Sequence, residues 1–300
     1  MTDPSGSLIV RYAESGQVRV GVLTGGEVRP VSGIDSMAAL LALPLAEARI
    51  AVLGAAGETP VPVAEVRLLA PVDGVTEVWA SGVTYERSMD ARVEESQTQD
   101  VYSRVYAAER PELFFKSVAW RVVTEGEPIA VRPDCAVTVP EPELAAVVTA
   151  TAEVLGYTVC NDVSSRDIEG ENPLYLPQAK IYAGSCALAV GIRPAWEVPD
   201  PARLEIGIRV TRDGATVFEG TTTTARMRRS VGELVGHLVR AQDFPAGAVL
   251  STGTGIVPGL DFSLREGDVV DVTVDGVGTL SNPVATVETA RGRRGDAAVG

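Results

Sequence analysis

The chain has 300 residues, of which 45% are hydrophobic and 22% are charged. It can therefore bury a sizeable core, and it is neither a disordered tether nor a bundle of membrane helices. Forty acidic residues against 26 basic ones give a formal charge of −14, with no basic run to offset it. This charge repels phosphate backbones and anionic membranes, so we expect neither nucleic acid nor membrane as a partner.

Cysteine usage and the first residues indicate a reducing compartment. Cys135, Cys160 and Cys186 are odd in number and widely spaced, which fits neither a disulfide framework nor a CxxC zinc site. The sequence begins without a basic region followed by an apolar stretch, so nothing indicates export. Its longest charge-free stretch, 244–260, is interrupted by prolines and glycines. We expect a cytoplasmic protein with no membrane helix.

Residues 1–70 are predicted to form a small N-terminal domain. Alternating apolar residues bounded by Gly-rich turns predict hairpin strands at Leu8–Tyr12 and Val18–Leu23. Asp35 or Ser36 is placed to cap a short helix that ends before Pro44. The segment 60–62, Pro-Val-Pro, then predicts a stiff extended connector to the rest of the chain.

Residues 71–290 are predicted to form the main domain, made mostly of short strands between Gly, Pro and Asp turns. The predicted strands are Val78–Ser81, Ala136–Val139, Tyr157–Asn161, Glu205–Thr211, Val249–Thr252 and Val269–Val274, and Leu144–Leu155 is predicted as strand, turn and strand because of its β-branched content. Helices are predicted at Ser88–Glu109 and Ser230–Ala241. The sole histidine, His237, lies in the second helix and is predicted to be structural. Residues 291–300 are predicted to be disordered.

Acidic residues occur at the ends of predicted strands. Glu141 and Glu143 flank Pro142. Because side chains two positions apart in an extended chain point to the same side, both carboxylates are expected on one face. Asp162 ends an apolar strand and can add a third carboxylate. Three oxygen donors without nearby His or Cys suit Mg²⁺, Mn²⁺ or Ca²⁺. Taken singly, the glutamates also fit a solvated strand edge, and Asp162 also fits a helix cap.

The basic residues are strongly biased towards arginine. Only Lys116 and Lys180 are lysines among 26 basic residues, which makes them candidates for roles that a permanently protonated guanidinium cannot fill. Lys180 lies between aromatic residues in a mostly uncharged stretch, where it can pair with a carboxylate or an anionic substrate, or extend past the tyrosines to water. Further along, the small-residue loop 251–255 exposes amides and hydroxyls that can hold a carboxylate.

In order along the chain, six short segments resemble motifs of the fumarylacetoacetate hydrolase family. They are Gly82-Val-Thr-Tyr85, Pro111–Lys116, Glu141-Pro-Glu143-Leu, Gly156–Asp167, Gln178-Ala-Lys180 and Thr252-Gly-Thr254. The match runs from Gly82 to Val287, and the N-terminal unit resembles the variable leading domain of the family. The resemblance implies an α+β fold built on layered, rolled mixed β-sheet with few helices, and a homodimer.

The resemblance also implies a set of site residues. A Mg²⁺ or Mn²⁺ ion is expected on Glu141, Glu143 and Asp162, with Lys180 beside it as a catalytic residue. Glu112, just before an apolar strand where burial raises a carboxyl pKa, is the candidate acid or base, although it also fits a surface glutamate. The residues expected to contact the substrate are Tyr85, Arg87, Lys116, Gln178 and Thr254.

One departure from the family pattern narrows the predicted chemistry. Hydrolases of this family carry a histidine three residues after the tyrosine of the opening motif, and here that position is Ser88. Loss of such a base typically costs ~10²–10⁴-fold in rate, which argues against hydrolytic C–C cleavage. The surrounding segments, such as 108–116 and 170–180, are similar to the 2-keto-3-deoxy-pentonate dehydratases of the family, which act on arabinonate- or xylonate-derived keto acids.

The sequence therefore predicts metal-assisted elimination of water from a keto-acid substrate, giving 2,5-dioxopentanoate. The leading alternative is a family hydrolase or decarboxylase acting on an acylpyruvate or an oxaloacetate-like acid. A third hypothesis is a non-catalytic metal- or ligand-binding homologue. The Gly and Pro content of Gly170–Tyr175 also makes that segment a candidate closing lid.

Overall fold

The computed structural model describes residues 6–95, 99–259 and 261–291. Strands dominate this part of the chain, and its α-helices are short: α1 (Met37–Leu41), α2 (Leu45–Gly54), α3 (Glu86–Glu95), α4 (Gln99–Ala107), α5 (Arg166–Glu171), α6 (Leu176–Lys180) and α7 (Val231–Leu238). None of the described helices combines the length and the apolar character needed to cross a bilayer.

The strands are β1 (Leu8–Glu14), β2 (Gln17–Thr24), β3 (Glu27–Pro30), β4 (Val61–Pro62), β5 (Arg67–Leu69), β6 (Glu77–Gly82), β7 (Glu112–Val118), β8 (Ile129–Val131), β9 (Thr138–Val139), β10 (Pro142–Val148), β11 (Val154–Asp162), β12 (Ser164–Ser165), β13 (Cys186–Leu188), β14 (Gly191–Pro194), β15 (Glu205–Arg212), β16 (Ala215–Thr223), β17 (Ala248–Ser251), β18 (Val269–Val274) and β19 (Gly278–Thr286).

Most of these strands form one large mixed sheet. Its order is β4-β3-β2-β1-β14-β11-β10-β17-β6-β7, with β5 paired to β1 and β13 paired to β11. The N-terminal strands join this sheet through β1, where Ile9 lies opposite Ile192 of β14. A five-stranded sheet, β16-β15-β18-β19-β8, forms a second layer. The fold is thus two layers of sheet with a few short helices, as the sequence predicts.

Strand β10 lies at the centre of the molecule, and its apolar residues alternate between two cores. Leu144 and Ala146 pack into the core shared with β15 and β18, whereas Ala145 and Val147 pack into the core beneath α1 and α2. Burial on both faces explains why this segment is a continuous apolar run in the sequence. The predicted strand, turn and strand over Leu144–Leu155 is confirmed by the pairing of β10 with β11.

Several predicted elements differ from the structure in detail. The helix expected over Ser88–Glu109 is two helices, α3 and α4, and residues 96–98 between them lie outside the described residues. The strand expected at Ala136–Val139 is reduced to β9, because Asp167 accepts hydrogen bonds from the Cys135 thiol and the Ala136 N–H at 2.6 and 2.8 Å. The predicted connector 60–62 includes β4, which pairs with β3.

Two predictions concern chain segments at or near helix ends. Ser36 caps α1 by accepting from Ala39 N at 3.1 Å, and Ser230 caps α7 by accepting from Glu233 N at 3.1 Å. Both caps agree with the predicted helix starts.

The predicted disorder of 291–300 falls almost wholly outside the described residues, which end at 291. The candidate lid Gly170–Tyr175 lies across the end of α5 and a 3₁₀ turn, and its movement stays a prediction.

Candidate active site

The fold brings three acidic side chains together at one end of β10 and β11. Glu141 directly precedes β10, Glu143 is its second residue, and Asp162 is the last residue of β11. The two strands are antiparallel, and the Asp162 N–H donates to Glu141 O at 2.9 Å. One carboxylate oxygen from each residue lies within 4.8 Å of the others. All three residues are at least 97% buried, since their exposed fractions are 3%, 1% and 1%.

Glu143 is held by the loop that follows β17. Its Oε2 accepts hydrogen bonds from Ser251 Oγ at 2.5 Å and from Gly253 N at 2.7 Å. Gly253 has a φ of +91°, and a Cβ at this position would lie 2.0 Å from Thr84 Oγ1, so only glycine brings the amide to the carboxylate. The loop predicted to hold a carboxylate therefore does so, and the carboxylate is that of Glu143.

Cations surround the other two carboxylates. Arg166 Nη2 lies 2.6 Å from Glu141 Oε1. Lys180 Nζ lies 2.6 Å from Glu141 Oε2, 3.1 Å from Asp162 Oδ2 and 2.5 Å from Ser164 Oγ. Lys116 Nζ forms an ion pair with Asp162 Oδ1 at 2.5 Å. These three positive charges offset part of the repulsion among the carboxylates, which helps the cluster to be buried, and Arg166 Nε also lies 3.9 Å from Oε2 of the buried Glu169.

The electrostatics of the cluster favour binding of a further cation. Burial, followed by the charges of Asp162 and other neighbours, raises the pKa of Glu143 well above its ordinary value. A divalent ion relieves this repulsion, because it stabilises the ionised form. The donors are carboxylate oxygens only, and the sole histidine, His237, lines a different groove with Trp79 and Arg240. This donor set fits a hard cation such as Mg²⁺ or Mn²⁺.

A small cavity borders the acidic cluster. Besides the three carboxylates and Lys180, it is lined by Ser81, Gly82, Val83, Ser88, Phe114, Gly253, Thr254 and Val257. Ser88 is buried, and its hydroxyl donates to Tyr85 O at 2.8 Å. The position at which related hydrolases carry a histidine is therefore occupied by a hydroxyl that is used within its own helical turn.

Glu112 lies beside this cavity. It is the first residue of β7 and pairs with Gly82 of β6. A Cβ added to Gly82 would lie 2.0 Å from Glu112 Oε2 and 2.7 Å from its Cδ, so the carboxyl group rests directly on the glycine. Gly82 lines the cavity and Glu112 does not, so the Glu112 carboxyl group lies against a lining residue and not in the cavity itself.

The predicted substrate contacts are placed unevenly. Thr254 lines the cavity, with its hydroxyl 3.2 Å from Ile256 O. Tyr85 is 99% buried, and burial together with the nearby Glu143 raises its pKa. Arg87 and Gln178 are exposed, and the residues that line the cavity do not include them. The structure therefore brings Thr254 to the cavity and Tyr85 near Glu143, and it does not bring the other two side chains to the cavity.

Lys116 occupies a different position from the one expected. Its side chain is fully buried, and its Nζ contacts Asp162 Oδ1, Val163 O at 3.1 Å and Lys180 O at 2.7 Å. The two carbonyl oxygens accept hydrogen bonds from the ammonium, and Asp162 Oδ1 forms an ion pair with it. The predicted contact with substrate is thus replaced by contacts behind the acidic cluster.

Sequence reasoning singled out the loop 251–255 as able to hold a carboxylate but did not assign it to Glu143, and it gave no such role to Arg166 or Ser164. Arg166 and Ser164 lie in the polar turn after Asp162, and Ser251 lies 108 residues beyond Glu143. The only signal for Arg166 is its position four residues after Asp162, which would place it near the acid if a helix began there. Nothing in the local sequence indicates that β17 lies beside β10, which is what brings Ser251 to Glu143.

Comparison with known proteins supports this fold. Residues 77–285 match the family model described as fumarylacetoacetate (FAA) hydrolase C-terminal, and residues 8–71 match the model described as Rv2993c-like, N-terminal. A Haloferax volcanii protein named "Probable 2-keto-3-deoxyxylonate dehydratase" is 50% identical over 217 residues, which are 72% of this chain and 74% of that protein. The 2-dehydro-3-deoxy-D-arabinonate dehydratase of Saccharolobus solfataricus is 45% identical over 224 residues, covering 73% and 75%.

Solved structures give the same result. A 2-keto-3-deoxy-D-arabinonate dehydratase complexed with magnesium and 2,5-dioxopentanoate has a TM-score of 0.80 and 36% identity, covering 93% of this chain and 99% of that one. The predicted fold is therefore confirmed. With a family model that spans most of its length and relatives up to half identical, the chain belongs to the fumarylacetoacetate hydrolase family.

Proposed function

We propose that this protein is a metal-dependent dehydratase that eliminates water from a 2-keto-3-deoxy-pentonate to give 2,5-dioxopentanoate. The observation that carries the proposal is the buried group of Glu141, Glu143 and Asp162, with Lys180 Nζ 2.6 Å from Glu141. The chain shares this fold with a dehydratase solved with magnesium and 2,5-dioxopentanoate, and it is 45% and 50% identical to two proteins with dehydratase names.

In this proposal Glu141, Glu143 and Asp162 would hold a Mg²⁺ or Mn²⁺ ion. When bound, the ion supplies positive charge that stabilises negative charge developing on the 2-keto oxygen of the substrate. The chain's own contribution begins with orientation, because Arg166, Ser251 and Gly253 each hold one carboxylate oxygen of a glutamate. Such contacts fix ligands before the ion or substrate arrives.

The elimination removes a proton from C3 and a hydroxyl from C4, so one water leaves and a C3–C4 double bond forms. Transfer of a proton from C5 to C3 then moves the double bond to C4–C5, and the resulting enol becomes the C5 aldehyde. We assign proton transfer to Glu112, whose carboxyl group packs against Gly82, a residue that lines the cavity. Lys180 keeps an ammonium in the cavity beside the developing negative charge.

The same site disfavours hydrolysis. Hydrolytic cleavage needs a base to activate water, and Ser88 occupies the position of the family's histidine with its hydroxyl bonded to Tyr85 O. The chain's only histidine, His237, lies on α7 and faces the groove shared with Trp79. Elimination needs no activated water, so the residues present suit it better.

The decisive experiment supplies purified protein with Mg²⁺ and each C4 epimer of 2-keto-3-deoxypentonate, and follows 2,5-dioxopentanoate by NMR. We expect turnover of at least one epimer, loss of turnover in excess chelator, and a severe loss in Lys180→Met and Glu112→Gln. Cleavage of an acylpyruvate, or pyruvate formation from oxaloacetate, without dehydration would instead favour a hydrolase or decarboxylase. Metal binding with no turnover of any of these acids would favour a binding homologue.

We further propose that the protein acts as a homodimer in the cytoplasm. The homodimer follows from the resemblance to the family, and Trp120 and Leu174, 71% and 83% exposed, are the side chains whose burial we would examine first in a dimer. All three cysteines are free thiols, which suits a reducing compartment. Light scattering on the eluting protein tests the first statement, and a monomer mass at micromolar concentration would contradict it. Fractionation of the native cell tests the second.

A further inference from the structure

Lys116 is among the most completely enclosed charged residues in the described chain. Its exposed fraction is 0%, and its ammonium lies among three oxygens from two different segments. Asp162 Oδ1 and Val163 O belong to the end of β11, and Lys180 O belongs to the end of α6. The Lys116 side chain, from β7, thus contacts both Asp162 and the main chain of Lys180.

A β-bulge aims this side chain. In the pairing of β6 with β7, Val78 lies opposite Ser117 and Trp79 lies opposite Phe115, so Lys116 is the extra residue without a partner on β6. Bulges of this kind turn a strand locally and re-aim a side chain, and they are common beside active sites. The same strand carries Glu112 at its start and Phe114 against the Lys180 ammonium, whose Nζ lies 5.6 Å from the ring centre.

From these observations we propose that Lys116 is a positioning residue, which fixes the carboxylate of Asp162 and the main chain of Lys180 relative to each other. Because Oδ1 is in contact with Lys116, Oδ2 is the oxygen that contacts Lys180. Lys116 thereby does for Asp162 what Arg166 does for Glu141 and what Ser251 does for Glu143. The inference rests on the metal site of the proposed function, and not on the identity of the substrate.

The requirement for three diverging contacts explains why this residue is a lysine. Of 26 basic residues only two are lysines, and both lie in this site. A guanidinium is a planar fork suited to two parallel hydrogen bonds, whereas an ammonium directs three donors to three sides of a compact charge. Only the ammonium fits between Asp162, Val163 and Lys180 without moving one of them.

The test is Mn²⁺ binding to the full chain without substrate, measured by electron paramagnetic resonance of the free ion. We expect Lys116→Met to weaken Mn²⁺ binding by ~10-fold or more, which is the usual cost of removing a partner of a metal ligand. Lys116→Arg should weaken it similarly, because it keeps the charge but not the three contacts. If Lys116 acted only through its charge, Lys116→Met would bind Mn²⁺ more tightly and Lys116→Arg would match the wild type. Unchanged or tighter binding in Lys116→Met overturns the proposal.

A matched control removes a buried ion pair elsewhere. Arg212 pairs with the fully buried Asp268 at 2.7 Å in the other sheet, so Arg212→Met should lower stability but leave Mn²⁺ affinity unchanged. If Lys116→Met and Arg212→Met lost Mn²⁺ affinity equally, the Lys116 effect would be explained by general destabilisation. That result would overturn the proposal. The opposite result is also informative. If Mn²⁺ binding depends on Lys116 but the protein dehydrates no keto acid, the proposed function is refuted and this inference stands.

A second measurement reads the wild-type chain, with Lys180→Met used only to assign its spectrum, and remains available if the Lys116 variants do not fold. With only two lysines, ¹⁵N labelling of lysine gives two ammonium resonances, and Lys180→Met identifies the one from Lys116. We expect the Lys116 ammonium protons to be protected from exchange with water, and their resonance to shift when Mg²⁺ is added, because Asp162 contacts both groups. An ammonium that exchanges freely, or that is indifferent to saturating Mg²⁺, contradicts the positioning role.

Discussion

Two glycines at this site allow close contacts that any larger side chain would block. Gly82 allows the Glu112 carboxyl group to rest on its Cα, and Gly253 allows its amide to reach Glu143. The two cases differ in what a methyl group would strike. At Gly253 it would meet Thr84 Oγ1 and lie 2.9 Å from Ser81 O, part of the backbone. At Gly82 it would meet only the mobile end of Glu112.

Gly82→Ala therefore tests the role of Glu112 without removing it. We expect the alanine to push the carboxyl group away from the cavity wall, which lowers kcat while the melting temperature changes little, because a flexible side chain yields easily. Steady-state kinetics and thermal unfolding measure the two effects. In a double-mutant cycle, Gly82→Ala should cost nothing further once Glu112 is Gln. An equal loss in both backgrounds would place the effect outside Glu112.

Cys135 provides a pH-dependent test at the same scale. Cys135 is only partly buried, whereas Cys160 and Cys186 are fully buried, so Cys135 is the thiol that a reagent reaches first. Its partial burial, followed by its hydrogen bond to Asp167, raises the pKa of the Cys135 thiol. The thiolate is the reactive form, so a raised pKa means slow alkylation that accelerates only as the pH climbs above the ordinary thiol range. Asp167→Asn should shift the rate profile to lower pH and give a few-fold faster iodoacetamide labelling at pH 8. An unshifted profile would show that Asp167 does not control the thiol.

At the scale of whole elements, the order of the strands in the sheet determines which side chains meet at the site. The carboxylates of Glu141 and Asp162 meet because β10 and β11 are consecutive and antiparallel, and this much is predictable from apolar runs that end in acids. Ser251 reaches Glu143 only because β17 pairs with β10 on one side and runs parallel to β6 on the other. Neighbouring strands that are far apart in sequence leave no local signal of their pairing. For this reason the sequence predicts the ligands and a loop able to hold a carboxylate, but not which carboxylate that loop holds.

The N-terminal strands illustrate the same dependence on long-range contacts. Asp73 accepts from Ala38 N at 2.8 Å and from Met37 N at 3.1 Å, at the start of α1, and it pairs with Arg11 Nε at 2.8 Å. Both charged side chains are about 15% exposed, at 16% and 14%. Arg11 also donates to Ala70 O and Val72 O. This network joins β1 and α1 to the segment that leads into β6.

Asp73→Ala should accordingly lower the free energy of unfolding by about 2–4 kcal/mol, because it leaves a largely buried arginine without its partner and two helix N–H groups without an acceptor. Urea denaturation measures the loss. The matched control is Arg203→Ala, since Arg203 pairs with Asp200 but is 81% exposed. That variant should stay within about 0.5 kcal/mol of the wild type. Equal losses in the two variants would mean that the Asp73 network does not connect these elements.

At the scale of the whole molecule, the formal charge of −14 complicates any metal experiment. Dications screen repulsion between surface acids and can stabilise an acidic protein without occupying a defined site. A specific site adds a saturable contribution, equal to about 2.7 kcal/mol when the free ion is at 100 times its Kd. The carboxylates of the cluster are buried and contact cations of their own, Lys116, Lys180 and Arg166, so the response of the cluster to an ion depends on its own ligands and not on the surface.

We therefore expect Mg²⁺ or Mn²⁺ to raise the melting temperature of chelator-treated protein in two phases, a saturable rise at low concentration and a gradual rise at high concentration. Glu143→Gln should abolish the first phase and keep the second, because it removes a ligand charge while the surface stays unchanged. Arg212→Met should keep both, since Arg212 and Asp268 lie in the other sheet. Differential scanning fluorimetry with each ion, and with Na⁺ at matched ionic strength, separates the phases. A first phase that survives in Glu143→Gln would mean that the ion binds elsewhere, and the assignment of Glu141, Glu143 and Asp162 as its ligands would be wrong.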